Sequence, residues 1–458
     1  MLAKNDCIEL TIDGVTNEGN GIGRHEGMAV FVPSAAPGDR LQVRIVKVLS
    51  NCRYGAIKQV LSPGPGRVAA PDCAVFGRCG GCSLRHLEYA AELVVKNGWV
   101  QENLRRIAKL ELTLPPAIGS PQPDRYRNKA IYPVQRDPDD TVRLGFYAKR
   151  SHHVVEQADC LLHPACFAEL AAAFRSWLTR FCISVYDEET HTGLIRSLFL
   201  RMAEATGEVM VCIVANGDAL PAANELIGAL RAAHSGVRSV ILNVQRDKTN
   251  VLLGPTCHTL WGADTITDRL CGLRFALSPL SFYQVNRQAA ERLYAVAAEF
   301  ADLRKTETLL DLYCGAGTIG LSMAGRVRSL IGVEIIPDAV QNAIENAARN
   351  GISNARFLCA DAAEAALGLE REGICPDVVV LDPPRKGCEA SLLETVARMA
   401  PSRVVMVSCD SATAARDVAR FGALGYRLVR AQAVDMFPRT AHVESVILLV
   451  KLPSEDIK

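Results

Sequence analysis

The chain has 458 residues, 49% of them hydrophobic and 22% charged, with a formal net charge of +1. That length holds roughly two to four domains, and the near-neutral charge excludes a global basic field, so any nucleic-acid surface must be a local patch. No apolar run reaches the length of a membrane span and the start, MLAKNDCIEL, lacks an apolar signal segment, so a cytoplasmic protein without a membrane partner is expected.

Residues 8–60 read as short strands: IELTIDGV, MAVFVPSA, RLQVRIVKVL and YGAIKQVL are rich in β-branched residues, and GNGIGRHEG and APGDR break the run. About 60 residues of this kind suggest a small β-barrel, with SPGPGR at its boundary. A barrel over 1–62, a central α+β domain over 63–270 and a third domain over 271–458 are therefore expected. The central segment opens with a cysteine-rich loop and a helical pattern, HLEYAAELVVKNGWVQENLRRIA. From about 272 short apolar strands alternate with helices, which predicts a mostly parallel, doubly wound α/β sheet.

Sixteen cysteines is a high count. In a cytoplasmic chain they stay reduced, and scattered ones such as Cys212, Cys257, Cys271 and Cys359 read as core. Cys73, Cys79 and Cys82, spaced C-x5-C-G-G-C, and the remote Cys160 read differently. Four thiolates can bind zinc or a 4Fe–4S cluster. Three clustered cysteines with one remote fit iron–sulfur better than the paired knuckles of structural zinc, and the glycines leave room for a bulky group. His86 and His163 are substitute ligands, and reduced, unliganded thiols are the alternative.

RYRNKAIYPVQR (125–136) carries Arg125, Arg127, Lys129 and Arg136 without an intervening acid, and Tyr126 and Tyr132 are interleaved. Cations bind phosphates and aromatics stack on bases, so the segment suits single-stranded RNA. RLGFYAKRSHHVV (143–155) adds further basic residues. A solvated surface face is the competing reading.

Gly315, Gly317 and Gly320 form G-x-G-x-x-G after a strand, and Glu334 ends the next strand, where a carboxylate can accept from ribose hydroxyls. Enzymes using NAD and enzymes using S-adenosylmethionine (AdoMet) share this motif. Asp361 and Asp382 close the third and fourth strands, a pattern that lines one sheet edge with acids, although a single acid there is commonly a helix cap. Asp382 opens DPPRKG, a proline-stiffened loop suited to a planar base, which an NAD site does not require. Cys409 closes the apolar run Val404–Val407 and emerges at the carboxyl end of a strand, the edge where open α/β sheets bind ligands. A thiol aimed there reads as a nucleophile; a buried core cysteine is the alternative.

With these motifs in order, the chain resembles the RNA (uracil-C5)-methyltransferases, specifically the iron–sulfur-containing 23S rRNA branch. The resemblance spans nearly the whole chain: GNGIGRHEGMAVFVPSAAPGDR resembles a TRAM domain, the four cysteines match 4Fe–4S ligands, and SFYQVN, DLYCGAGTIGL, LDPPRKG and DMFPRTAHVESV match in order and spacing. It implies Cys409 as nucleophile and Glu444 as general base. It implies AdoMet contacts from Gln284, Tyr313, Thr318, Glu334 and Asp361, Asp382 between cofactor and base, and Arg385 against the uracil. It also implies a monomer acting on structured RNA, 23S rRNA, with tRNA open on mechanism alone. One departure stands out. The family reads Cys-Asn-Pro where this chain has Cys409-Asp410-Ser411. A carboxylate pointing at the thiol would disfavour the thiolate, and losing proline would loosen the loop, so an active but re-tuned enzyme is expected, with a non-catalytic RNA-binding protein as the rival.

Overall fold

The computed structural model describes residues 3–157 and 159–453. Its first sheet is built from β1 (Cys7–Thr11), β2 (Gly14–Val15), β3 (Asn20–His25), β4 (Met28–Pro33), β5 (Arg40–Val48) and β6 (Cys52–Ser62), in the order β1-β5-β6-β4-β3-β2. Alternation in β1 and β5 puts Ile8, Leu10, Leu41, Val43 and Ile45 on one buried face, the period of two expected of a half-buried strand. The glycine-rich stretch expected to interrupt the strands is itself β3. A Cβ at Gly21 would lie 2.7 Å from that of Ala35, so the small residues admit a neighbour rather than end the strand. Helix α1 (Tyr89–Arg106) follows the cysteine loop.

The second sheet holds β7 (Lys129–Arg136), β8 (Val142–Tyr147), β9 (Val154–Glu156), β10 (Ile195–Ala203), β11 (Glu208–Ala215), β12 (Val237–Val244) and β13 (Thr256–Gly262). Their order is β13-β12-β11-β10-β7-β8-β9. Helix α2 (Cys166–Arg180) and α3 (Ala223–Ala233) belong to the same core, in which Phe167, Leu170, Phe174 and Trp177 join Leu198, Leu200, Val211 and Ile213. A hairpin of β14 (Ile266–Leu270) and β15 (Leu273–Leu277) comes next.

The last part alternates α4 (Arg287–Ala301), β16 (Thr308–Leu312), α5 (Thr318–Ala324), β17 (Ser329–Glu334), α6 (Pro337–Arg349), β18 (Ala355–Cys359), α7 (Ala362–Arg371), β19 (Val378–Leu381), α8 (Ala390–Met399), β20 (Arg403–Ser408), α9 (Ser411–Ala423), β21 (Tyr426–Val434) and β22 (Glu444–Lys451). The sheet order is β18-β17-β16-β19-β20-β22-β21. β16, β17, β18 and β19 pair in parallel, and β21 runs antiparallel to β22. β19 is buried along its length, as a strand covered on both faces must be.

The chain divides into two compact units. One comprises Met1–Pro123, Pro383–Cys388 and Met406–Lys458; the other comprises Asp124–Asp382 and Glu389–Val405. Of the scattered cysteines read as core, Cys212 is buried, but Cys271 and Cys359 are exposed. No helix among the described residues is long and apolar enough to cross a membrane.

Candidate active site

The unit containing residues 124–382 carries the glycine loop. Tyr313, Gly315 and Gly317 all have left-handed backbone, with φ of 66°, 54° and 79°. For Tyr313 that conformation is strained, which is common where a loop is shaped around a ligand. Glu334 holds the loop: its Oε2 accepts from Gly315 N at 3.1 Å and its Oε1 from Ile336 N at 2.9 Å. Gly320 serves packing instead, because a Cβ there would lie 2.6 Å from Asp311 Oδ2.

Asp311 is a residue the sequence reading passed over. It is buried at 1% exposure, and its Oδ2 accepts from Gly320 N at 2.9 Å. Burial pushes its carboxyl up to about 7, with the charges of Asp382 and Glu334 acting in the same direction. Burial likewise pushes Asp382 up to about 7. Asp361 is the N-cap of α7, where Oδ1 accepts from Ala363 N and Glu364 N at 2.9 and 3.3 Å. Thr318 Oγ1 lies 2.9 Å from Tyr294 Oη, and the side chain of Gln284 hydrogen-bonds the same phenol. Asn128 Nδ2 donates to Gln284 O at 3.0 Å, which fixes the backbone of that residue. Two expected cofactor contacts thus share one buried tyrosine, a link that no motif signals.

The other unit carries Cys409, Glu444 and Arg385. Cys409 follows β20 and is half-buried, while Glu444 is 7% exposed and opens β22. Ser445 Oγ donates to Ser408 O at 3.3 Å, so the neighbours of the expected base and nucleophile are bonded on adjacent strand ends. Arg385 is exposed on a loop held by α9: Cys388 N donates to Asp417 Oδ2 at 2.8 Å and Arg416 donates to Lys386 O at 3.0 Å.

Asp410 answers the question its sequence raises. Its Oδ1 accepts from Ala412 N at 3.0 Å and Thr413 N at 2.9 Å, so the carboxylate caps α9. Asparagine is an equally good cap. We therefore expect Asp410→Asn to change kcat/KM by less than about twofold, whereas Asp410→Ala costs about 1 kcal/mol of stability. Steady-state kinetics and a melting curve check both. A large rate gain in Asp410→Asn would mean that the carboxylate charge opposes the thiolate after all.

The cysteine loop supplies donors suited to a soft metal: Cys73, Cys79 and Cys82 form no disulfide, and Cys79 Sγ accepts from Gly81 N at 3.4 Å. Burial pushes the Cys79 thiol up, as does nearby Cys73. Among the described residues no three His, Cys, Asp or Glu side chains stand in a metal-holding group.

The expected RNA segment reads differently in three dimensions. Tyr126 and Tyr132 are 4% and 3% exposed, so they pack the core and offer no face for a base. Arg125 pairs bidentately with Asp159 and donates to the carbonyls of Cys160 and His163 at 3.2 and 3.1 Å, which clamps the Cys160 turn. Arg127 is half-buried and the side chain of Lys129 is largely buried, its pKa pulled down to about 8 by desolvation. The exposed cations Lys149 and Arg150, with His152 and His153, lie on the β8–β9 turn.

Comparison with known proteins gives the family. Residues 265–452 match the family model described as tRNA (uracil-5-)-methyltransferase, and residues 4–57 match the TRAM domain. An RNA methyltransferase of Halalkalibacterium halodurans is 41% identical over 447 residues, 97% of each chain. One of Clostridium tetani is 39% identical, over 97% of this chain and 96% of that protein. Among solved structures, the tRNA (uracil-54, C5)-methyltransferase of Pyrococcus abyssi, in complex with S-adenosyl-L-homocysteine, is similar with a TM-score of 0.78. It is 28% identical, and the match covers 97% of this chain and 100% of that one.

Proposed function

We propose that this chain, which belongs to the RNA (uracil-C5)-methyltransferase family, methylates a uridine of 23S rRNA through a covalent adduct on Cys409. The family establishes an AdoMet-dependent enzyme with an RNA substrate. The placement of Cys409 and Glu444 on bonded strand ends is the observation that carries the covalent reading.

Uracil C5 is a poor nucleophile. Addition of the Cys409 thiolate to C6 moves the C5=C6 electron pair into an enolate, and C5 then attacks the AdoMet methyl group. The methyl–sulfur bond breaks with its pair on sulfur, giving S-adenosylhomocysteine. Glu444 takes the C5 proton, the double bond re-forms and the thiolate leaves C6. Splitting one hard step into easier ones is the gain of covalent catalysis, and acid–base assistance adds typically about 10²–10⁴-fold. The target base must leave its stack, at a cost of roughly a few kcal/mol. The glycine loop, with Gly315, Gly317, Thr318, Glu334, Asp361, Gln284 and Tyr313, is proposed to hold AdoMet, and Arg385 to hold the uracil. RNA containing 5-fluorouridine has no C5 proton to lose, so with AdoMet it should form a stable adduct on Cys409. Absence of that adduct by mass spectrometry would sink the covalent reading.

The spacing of Cys73, Cys79, Cys82 and Cys160 supports a 4Fe–4S cluster, which would serve as a structural or RNA-contacting group. Iron and sulfide content after anaerobic purification tests it. The resemblance to the iron–sulfur-containing 23S rRNA branch supports 23S rRNA as target. A tRNA is the second reading, favoured by the similarity to the Pyrococcus enzyme. Mapping 5-methyluridine in both RNAs of a strain lacking the protein separates them. We further propose that the enzyme is a cytoplasmic monomer, a state that light scattering checks.

Asp311 and Asp382 give the cofactor site a pH dependence. Each carboxyl titrates at 3.8 when unperturbed and near about 7 in the folded protein. Between these values the folded form binds more protons than the unfolded chain, so stability falls as pH rises through that window. A cationic sulfonium favours the ionised forms. We expect AdoMet affinity, relative to that of uncharged-at-sulfur S-adenosylhomocysteine, to rise about threefold to tenfold from roughly pH 6 to pH 8. Calorimetry at both pH values reads the ratio, and a flat ratio would place both carboxyls away from the sulfonium.

A further inference from the structure

Helix α1 carries an unusual stripe. Tyr89, Glu92, Lys96, Trp99 and Asn103 recur at spacings of three and four, so they lie along one face. All five carry a polar or charged group where a packing face would be apolar. The stripe makes hydrogen bonds to both segments that carry the reactive side chains.

On one side is the segment between β21 and β22, which leads into Glu444. Lys96 is wholly buried, and its three donors are used: Glu92 Oε1 and Asp435 Oδ1 both at 2.7 Å, and Phe437 O at 3.0 Å. Tyr89 donates to Asp435 Oδ2 at 2.9 Å. Glu92 Oε1 accepts from Arg439 N at 2.7 Å. Arg439, at a strained φ of 69°, accepts at its carbonyl from Ser83 N and Leu84 N at 2.9 and 3.0 Å. An ammonium meeting acceptors in three directions is a function the flat fork of arginine cannot reproduce. On the other side, Asn103 Nδ2 donates to Ser411 Oγ at 2.8 Å. Ser411 is the first residue of α9, two residues after Cys409. Proline fixes φ at a first helical position; here a hydrogen bond from α1 anchors the same position.

We propose that α1 is the positioning element of the active site, with Lys96 setting the base segment and Asn103 setting the nucleophile turn. Neither residue touches the reacting atoms. The inference rests on the roles given above to Cys409 and Glu444. Its consequence is a split: the base side governs resolution of the methylated adduct, and the nucleophile side governs its formation.

The test uses the full chain in single turnovers. Adduct formation is read on 5-fluorouridine RNA, and adduct lifetime on ordinary uridine RNA, both with AdoMet. Lys96→Arg should form the adduct within twofold of the parent rate but resolve it at least tenfold more slowly. Asn103→Ala should form it threefold to tenfold more slowly and resolve it normally, and adding Ser411→Pro should restore formation. Asn103→Ala leaves the buried charges in place, so this arm is readable even where Lys96→Arg folds poorly. Equal slowing of both steps in either single variant, or no rescue by Ser411→Pro, would overturn the proposal. Glu444→Gln is run in parallel. If it resolves the adduct at the parent rate, the assignment of the base has failed. If it traps the adduct and Lys96→Arg does not, the positioning role has failed.

Discussion

Cys409→Ala is expected to lower methyl transfer by about 10⁴-fold or more, with AdoMet affinity unchanged. The loss is large because C5 of uracil gains nucleophilic character only when a thiolate adds at C6; no other step in the scheme compensates. The fold should survive. Cys409 is half-buried at the end of β20, and the β20 residues that make the core are Val404, Val405, Met406 and Val407, which the substitution leaves alone. The measurement is tritiated-methyl transfer into RNA together with calorimetric AdoMet binding. Residual transfer within about tenfold of the parent would mean that uracil is activated without a covalent bond, and weakened AdoMet binding would mean that the cysteine serves the cofactor site instead.

Gly320→Val is expected to disable the cofactor half by a different route. A Cβ at this position would sit 2.6 Å from Asp311 Oδ2 and 3.0 Å from Leu330 Cδ1. Two added methyl groups have nowhere to go, so β16 and α5 must part. That separation breaks the hydrogen bond from Gly320 N to a buried carboxylate. Overpacking and the lost hydrogen bond together cost about 2–5 kcal/mol. We expect a melting temperature several degrees lower and AdoMet affinity reduced by more than about tenfold. Gly325→Ala is the matched control. Its Cβ meets nothing within 4 Å and its φ is −65°, so stability should hold or rise slightly. Equal effects from the two substitutions would show that the packing of Gly320 is not what shapes the loop.

How legible these features were depended on distance along the chain. The glycine loop and Glu334 lie 19 residues apart, and their motif states the turn, the helix and the carboxylate in one local sentence. The strands of the last sheet are short apolar runs, so their burial was readable as well. The segment 125–136 misled because its cations drew the eye. The burial of β7 at Ala130, Tyr132, Pro133 and Val134 is that of a core strand, and Arg125 found an acid 34 residues away. Asp410 was legible only as a charge beside a thiol; that the charge faces two backbone N–H groups is a matter of rotamer, which sequence does not carry. The α1 stripe was beyond reach for a simpler reason. Lys96 and Asp435 are 339 residues apart, and nothing local tells a buried lysine from a surface one.

That separation has a consequence during synthesis. The unit holding Cys409 and Glu444 joins the first 123 residues to the last 53 and to a six-residue piece between them. Arg439, which occupies Glu92, follows it by 347 residues, which at bacterial elongation rates is roughly 20–70 s. Throughout that interval the barrel and α1 exist as a nascent half-site with a wetted lysine where the finished protein has a dry one. A chain stopped before residue 435 would leave Lys96 without two of its three acceptors, Asp435 Oδ1 and Phe437 O.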